Sequence, residues 1–169
     1  MRKIIPFLLC MTAITACTSI ECPLNNSVYA TFVLKGEKDT LADTLTVYAM
    51  RRSASDTILY NRGVNTTSFS IPVSYAQEED LLLIETIDTM TKSVTLDTIA
   101  IKKTNDPHFE AVDCNPAIFH TVLGITTTYN AIDSLVINDY IIDNNETKEH
   151  FYIYFTPRIC RSFPHNTNH

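Results

Sequence analysis

Five histidines, five cysteines and one acidic loop are the side chains of this 169-residue sequence best suited to chemistry. His108, His120 and His150 are scattered singly, and only His165 and His169 stand close together. A zinc site needs three or four nitrogen or sulfur donors converging from short spacings. Beyond that C-terminal histidine pair no two stand at ligand spacing, and Cys22, Cys114 and Cys160 form no CxxC. No metal and no cofactor is therefore expected. Asp139, Asp143, Asn144, Asn145 and Glu146 lack the Asp-x-Asp-x-Asp-Gly order of a calcium loop, so a solvated turn is expected there. With only 3 glycines there is no Gly-rich phosphate loop, and no Gly-x-Ser-x-Gly elbow occurs. His120 is the best placed base for a hydrolase, but Cys114 near it is better explained by a disulfide than by a nucleophile. No catalytic residue is assigned.

A different pattern recurs. Six of the aspartates are followed by Ser or Thr and then an apolar residue, at Asp39-Thr40-Leu41, Asp43-Thr44-Leu45, Asp56-Thr57-Ile58, Asp88-Thr89-Met90, Asp97-Thr98-Ile99 and Asp133-Ser134-Leu135. Random placement at this composition would give roughly one. One explanation is structural: Asp bonds backbone N–H groups at a turn, Thr opens a strand and the apolar residue starts its buried face. The other is chemical, because the tripeptide resembles the acceptor motif for O-glycosylation of exported proteins in Bacteroidetes. Thr40, Thr44 and Thr57, in polar surroundings, are the first acceptor candidates, followed by Thr89, Thr98 and Ser134.

The N-terminus carries its own chemistry. Arg2 and Lys3 precede an apolar run from Ile4 to Ile14, which ends in Thr15-Ala16 and then Cys17. That is the order of a secretion signal. The run is too short for the ~30 Å hydrocarbon layer, and Pro6 near its start weakens it further as a permanent helix. Ile14-Thr15-Ala16-Cys17 resembles a bacterial lipobox, in which the cysteine thiol takes a diacylglycerol, the peptide is cut before it and the new amine is acylated. Each buried methylene adds about 0.8 kcal/mol, so two or more chains anchor where one would not. Thr18, rather than Asp, resembles the outer-membrane sorting signal, and a lone Glu21 falls short of the acidic pair of surface-exported lipoproteins. The expected location is the outer membrane, periplasmic face.

Loss of residues 1–16 leaves enough chain for one domain with a real core. The formal charge of −6, more negative once Arg2 and Lys3 are removed, argues against nucleic acid and anionic headgroups. Of the cysteines, Cys10 leaves with the signal and Cys17 carries lipid, so Cys22, Cys114 and Cys160 remain for an oxidising compartment. We expect Cys22 to pair with Cys114, because both precede a proline-containing turn inside the globular region while Cys160 lies in a tail. Such a long closed loop would add about 4 to 5 kcal/mol on the chain-entropy account.

The elements that must position these groups are strands. No Trp, few Gly and many Thr, Ile, Val and Tyr favour them. Strands are expected at Val28–Leu34, Thr44–Ala49, Thr57–Tyr60, Ser68–Val73, Asp80–Thr86, Val94–Lys102, His108–Cys114, Ala117–Tyr129, Ser134–Ile137 and His150–Phe155. Turns are expected at Asn61-Arg62-Gly63 and Asn105-Asp106-Pro107, an edge or strand end at Pro72, a central strand at Leu81–Ile84 and a bulge or bend at Gly124. Together they predict an all-β antiparallel β-sandwich, immunoglobulin-like or related, of about nine short strands. The expected organisation is a signal peptide at 1–16, a lipidated tether at 17–27, the sandwich at 28–155 and a loose tail at 156–169.

Glu21-Cys22-Pro23, Asn61-Arg62-Gly63, Val112-Asp113-Cys114, Phe119-His120-Thr121, Asn130–Ser134 and Glu149–Phe155 together resemble an uncharacterised envelope lipoprotein family of gut Bacteroidetes. The likeness runs from Cys17 to Phe155 and implies an envelope lipoprotein, a Cys22–Cys114 pairing and no known activity; the tail with Cys160 departs from it. The leading expectation is a structural or protein-interaction module held to the membrane by its lipid, with an envelope protein as partner. The alternative is a carbohydrate- or small-ligand-binding lipoprotein whose tyrosines, Tyr48, Tyr129, Tyr152 and Tyr154 among them, gather in one concave patch. A hydrolase ranks third.

Overall fold

A computed structural model describes residues 27–36, 39–51, 55–109, 111 and 114–156. Among them there is no helix, and eleven strands follow in order: β1 (Tyr29–Leu34), β2 (Thr44–Ala49), β3 (Thr57–Gly63), β4 (Ser68–Pro72), β5 (Glu79–Ile87), β6 (Val94–Lys103), β7 (Asp106–His108), β8 (Ala117–Thr127), β9 (Ile132–Ile137), β10 (Ile141–Ile142) and β11 (Phe151–Phe155). They form a β-sandwich of a four-stranded sheet, ordered β4-β1-β11-β9, and a seven-stranded sheet, ordered β10-β8-β6-β5-β2-β3 with β7 on β8. The signal, the tether before Ser27 and the tail after Thr156 lie outside the described residues.

Period-2 alternation accounts for how the sheets pack. Ala30, Phe32 and Leu34 of β1, Phe69 and Ile71 of β4, and Phe151 and Ile153 of β11 all point inward and are buried. Leu45, Val47, Leu82, Ile84, Ile99, Ile101 and Val122 face them from the larger sheet in one continuous core. Phe32 anchors that core, stacked on Phe69 at 4.9 Å and tilted against Phe151 at 4.7 Å. Aromatic pairs of this kind contribute about 0.5–1.5 kcal/mol beyond their buried area.

Several expectations meet the structure directly. β4 is an edge strand ending at Pro72, and β5, apolar on both faces, is paired on one side with β2 and on the other with β6. Beside Gly124 the ladder skips a residue: Lys102 pairs Gly124 but Lys103 pairs Val122, leaving Leu123 bulged.

Other details differ. Asn61-Arg62-Gly63 is no turn; β3 runs through it with an irregular register, Arg62 adopting φ +47° to accommodate the shift. A Cβ on Gly63 would collide with the Tyr60 ring, so a side chain there requires that ring to move. Asp106-Pro107 pairs with β8 instead of turning, and the residues described between Phe109 and Cys114 belong to no strand. β10 is too short to leave a periodic signal. One pairing is parallel: β1 lies alongside β11, bringing the first and last strands together.

Two buried charges tie the layers. Asp97 of β6, 1% exposed, accepts hydrogen bonds from the backbone N–H groups of Asn130, Ala131 and Ile132 and from the Thr128 hydroxyl, at 2.7–3.1 Å. This wraps the β8–β9 connection around one carboxylate and ends β8 at Thr127, two residues short of the expected Tyr129. Lys103, at the other end of β6, is fully buried. Its ammonium donates to the carbonyls of Ser74 and Gln77 at 2.6 and 2.5 Å and to Asn105 Oδ1 at 3.1 Å, with Asp80 3.6 Å away.

Candidate functional site

The residues picked out for chemistry are for the most part committed to structure. His120 is buried, and its Nδ1 lies 2.8 Å from Asn105 Oδ1 and 3.1 Å from the Thr104 carbonyl, so the proton sits on Nδ1 between two acceptors. Burial pushes this imidazole below its usual value, and the Lys103 charge adds to that. His108 is exposed and stacks on the Phe119 ring at 4.4 Å. Cys114 is buried and disulfide-bonded. Its partner lies outside the described residues, as do Cys17, Cys22, Cys160, His165 and His169. No group of three or more His, Cys, Asp or Glu among the described residues is arranged to hold a metal. In the acidic loop the cation is Lys148, whose ammonium sits 2.7 Å from Asp143 and 3.6 Å from Asp139.

The recurring tripeptide divides by location. Thr57 opens β3 and Thr89 sits in the β5–β6 hairpin turn, both exposed. Thr40, Thr44, Thr98 and Ser134 are half-buried. The aspartates largely serve the backbone: Asp88 accepts from the N–H groups of Met90 and Thr91 at 2.7 and 2.8 Å, which holds its carboxyl below the ordinary range, and Asp56 accepts from Arg51 N–H. Asp97 lies inside β6 rather than before it.

A surface that gathers polar and aromatic groups is the outer face of the four-stranded sheet. Alternation turns Tyr29, Thr31, Val33 and Lys35 outward along β1 and its end, Ser68 and Ser70 outward on β4, and Tyr152 and Tyr154 outward on β11. Residues 146–149, between β10 and β11, line one side of a depression of about 490 Å³ with Thr31, Lys35 and Ser68 among others. A second, of about 270 Å³, is lined by Tyr29, Thr31, Ser70 and Glu146, so Thr31 and Glu146 belong to both.

At one end the groove meets a row running Val33–Tyr152–Val136 across three strands. Lys35 bridges the two, 3.6 Å from Glu149 and 4.7 Å above the Tyr152 ring. Gly36, at φ +115°, turns the chain away here, and a side chain in its place would press on Tyr154.

Of the four candidate tyrosines the structure brings together Tyr152 and Tyr154. Tyr48 lies on the other sheet, bonded to Glu85 at 3.3 Å, and Tyr129 is exposed beyond β8. Sequence reasoning passed over Tyr29, Thr31 and Lys35, although their phase opposite Ala30, Phe32 and Leu34 marks them as outward.

His150 underpins this face. Thr31 N–H donates to its Nδ1 at 3.0 Å, which places the ring proton on the buried Nε2. Burial holds the imidazole below its ordinary value; Lys148 acts the same way, against Asp139 and Asp143. Protonation would set a second N–H against that of Thr31. His120 is shifted in the same direction. With both folded values lowered, the unfolded chain takes up protons first, so their contribution is full above roughly pH 6.5 and is lost as pH falls below it. The urea midpoint is therefore expected to drop between about pH 7 and about pH 5.5. In His150→Asn, whose amide oxygen can still accept from Thr31, the drop should be smaller; an identical slope would contradict this role.

The fold and this face define a β-sandwich with a polar groove over β1. The chain belongs to a family of unknown function (DUF6452), which matches residues 44–155. No curated protein and no solved structure matches it.

Proposed function

We propose that this chain is a non-catalytic binding module of the bacterial envelope, anchored through acylated Cys17 in the outer membrane on its periplasmic side, and that it engages an envelope partner through the outer face of the four-stranded sheet. The observation that carries this reading is the pair of depressions over β1 that share Thr31 and Glu146, the smaller one lined by Tyr29. Among the described residues away from this face, His120 is held by Asn105 and Thr104, and Cys114 is in a disulfide. Membership of a family of unknown function is consistent with an uncharacterised domain. The lipobox-like Ile14–Cys17 supports the anchor, and the acidic balance supports a partner other than nucleic acid. Any glycan on the Asp-Ser/Thr-apolar motifs belongs first on Thr57 or Thr89, whose exposure leaves room for the transferring enzyme.

Detergent phase partitioning with intact-mass analysis of protein from its own envelope tests the anchor. The wild type should enter the detergent phase with a mass above that of the polypeptide, and Cys17→Ala should remain aqueous. Digestion without reductant should release Cys22 linked to Cys114. An intact mass equal to the bare chain removes both acylation and glycosylation.

A further inference from the structure

We infer that the groove over β1 binds a neutral oligosaccharide chain; this rests on the binding-module reading above and names its ligand. The floor formed by β1 gives an extended peptide lying over it no backbone to pair with. β1 is hydrogen-bonded to β4 on one side and to β11 on the other, so its backbone offers no open ladder for an added strand.

What the floor offers instead is side-chain oxygen. Thr31 Oγ1 and Ser70 Oγ lie 2.9 Å apart, a hydroxyl pair in which either can donate. Glu146 overhangs both depressions and makes no ion pair among the described residues. A pyranose presents adjacent hydroxyls, each donor and acceptor at once, and a carboxylate beside hydroxyls satisfies both capacities.

Charge decides against an anionic ligand. Among the described residues Lys35 and Lys148 are the cations of the groove, and each is already held, by Glu149 and Asp143 respectively. Asp39, Glu146 and Glu149 leave the lining acidic. Shape favours a chain over a compact molecule, because two neighbouring depressions, of about 490 and 270 Å³, share Thr31 and Glu146 in their linings. Tyr29, 38% exposed in the smaller depression, supplies a ring for the apolar face of a sugar.

The test is calorimetric titration of the native protein with cellohexaose, xylohexaose, mannohexaose and chitohexaose, beside a heparin hexasaccharide and an unstructured heptapeptide library. At least one neutral chain should bind in the micromolar to millimolar range, and its disaccharide about tenfold or more weaker. Glu146→Ala and Tyr29→Ala, both surface changes, should each weaken binding by about tenfold, while Leu96→Ala on the opposite sheet should not. Absence of binding by all four neutral chains at millimolar concentration, or binding indifferent to both groove variants, overturns the inference. Peptide binding at the groove without saccharide binding overturns the ligand class and leaves the binding module standing. If, in addition, no envelope component contacts this face, the module reading falls as well.

Discussion

Lys103→Met is expected to cost about 3–5 kcal/mol of stability, lowering the thermal midpoint by roughly 10 °C. The ammonium is buried; it is held by two carbonyls, an amide oxygen and the Asp80 carboxylate. Burial pushes its pKa down against the pull of Asp80, and burial pushes Asp80 up against the pull of Lys103, so each ion depends on the other to remain charged. Removing the cation alone strands a partly buried carboxylate and leaves the Ser74 and Gln77 carbonyls without their donor. The loss is therefore more than an exposed pair would give, which is typically under about 1 kcal/mol. The double variant Lys103→Met with Asp80→Asn should recover part of it, since the uncompensated charge is gone. A single variant that melts with the wild type would show that the ammonium is not what holds the β4–β5 connection to β6.

Asp97→Ala should be comparably severe, about 3–5 kcal/mol, because three backbone N–H groups and a hydroxyl lose one shared acceptor and each unsatisfied buried donor costs about 1–3 kcal/mol. Asp97→Asn should fall between, as its amide nitrogen faces N–H donors that need an oxygen. Amide exchange gives the local readout. Asn130, Ala131 and Ile132 should lose protection in both variants beyond what the global change explains, and retained protection there would contradict the lock.

These two charges show which parts of the fold the sequence carries. In β1, β4 and β11 apolar and polar residues alternate cleanly, so their inner faces are legible. In β6 the phase set by Ile99 and Ile101 extends to Asp97 and Lys103, and that phase buries both. The signal was in the alternation, yet a charged residue at a strand end reads as exposed unless its partners are known. Those partners lie 20 or more residues away in Asp80 and about 30 away in Thr128 and Asn130. Sequence separation hides them.

The candidate site was legible only in its tyrosines on β11. Its floor depends on the parallel pairing of β1 with β11, whose partners Phe32 and Phe151 stand at opposite ends of the domain. Local pattern cannot specify such a pairing. Residues 143–149 read from sequence as a solvated turn, and so they are, with Asp143 and Asn145 bonding the backbone two residues on. Their second role, as one wall of a groove, arises only once β11 is placed beside β1.

The central claim, that this molecule works through the outer face of its smaller sheet, is tested most directly by placing a photoreactive residue at Ser70 on that face and, separately, at Leu96 on the opposite sheet, then illuminating intact envelopes. Adducts from Ser70, absent or far weaker from Leu96, are the result expected. Adducts from Leu96 alone, or from neither position, would contradict it.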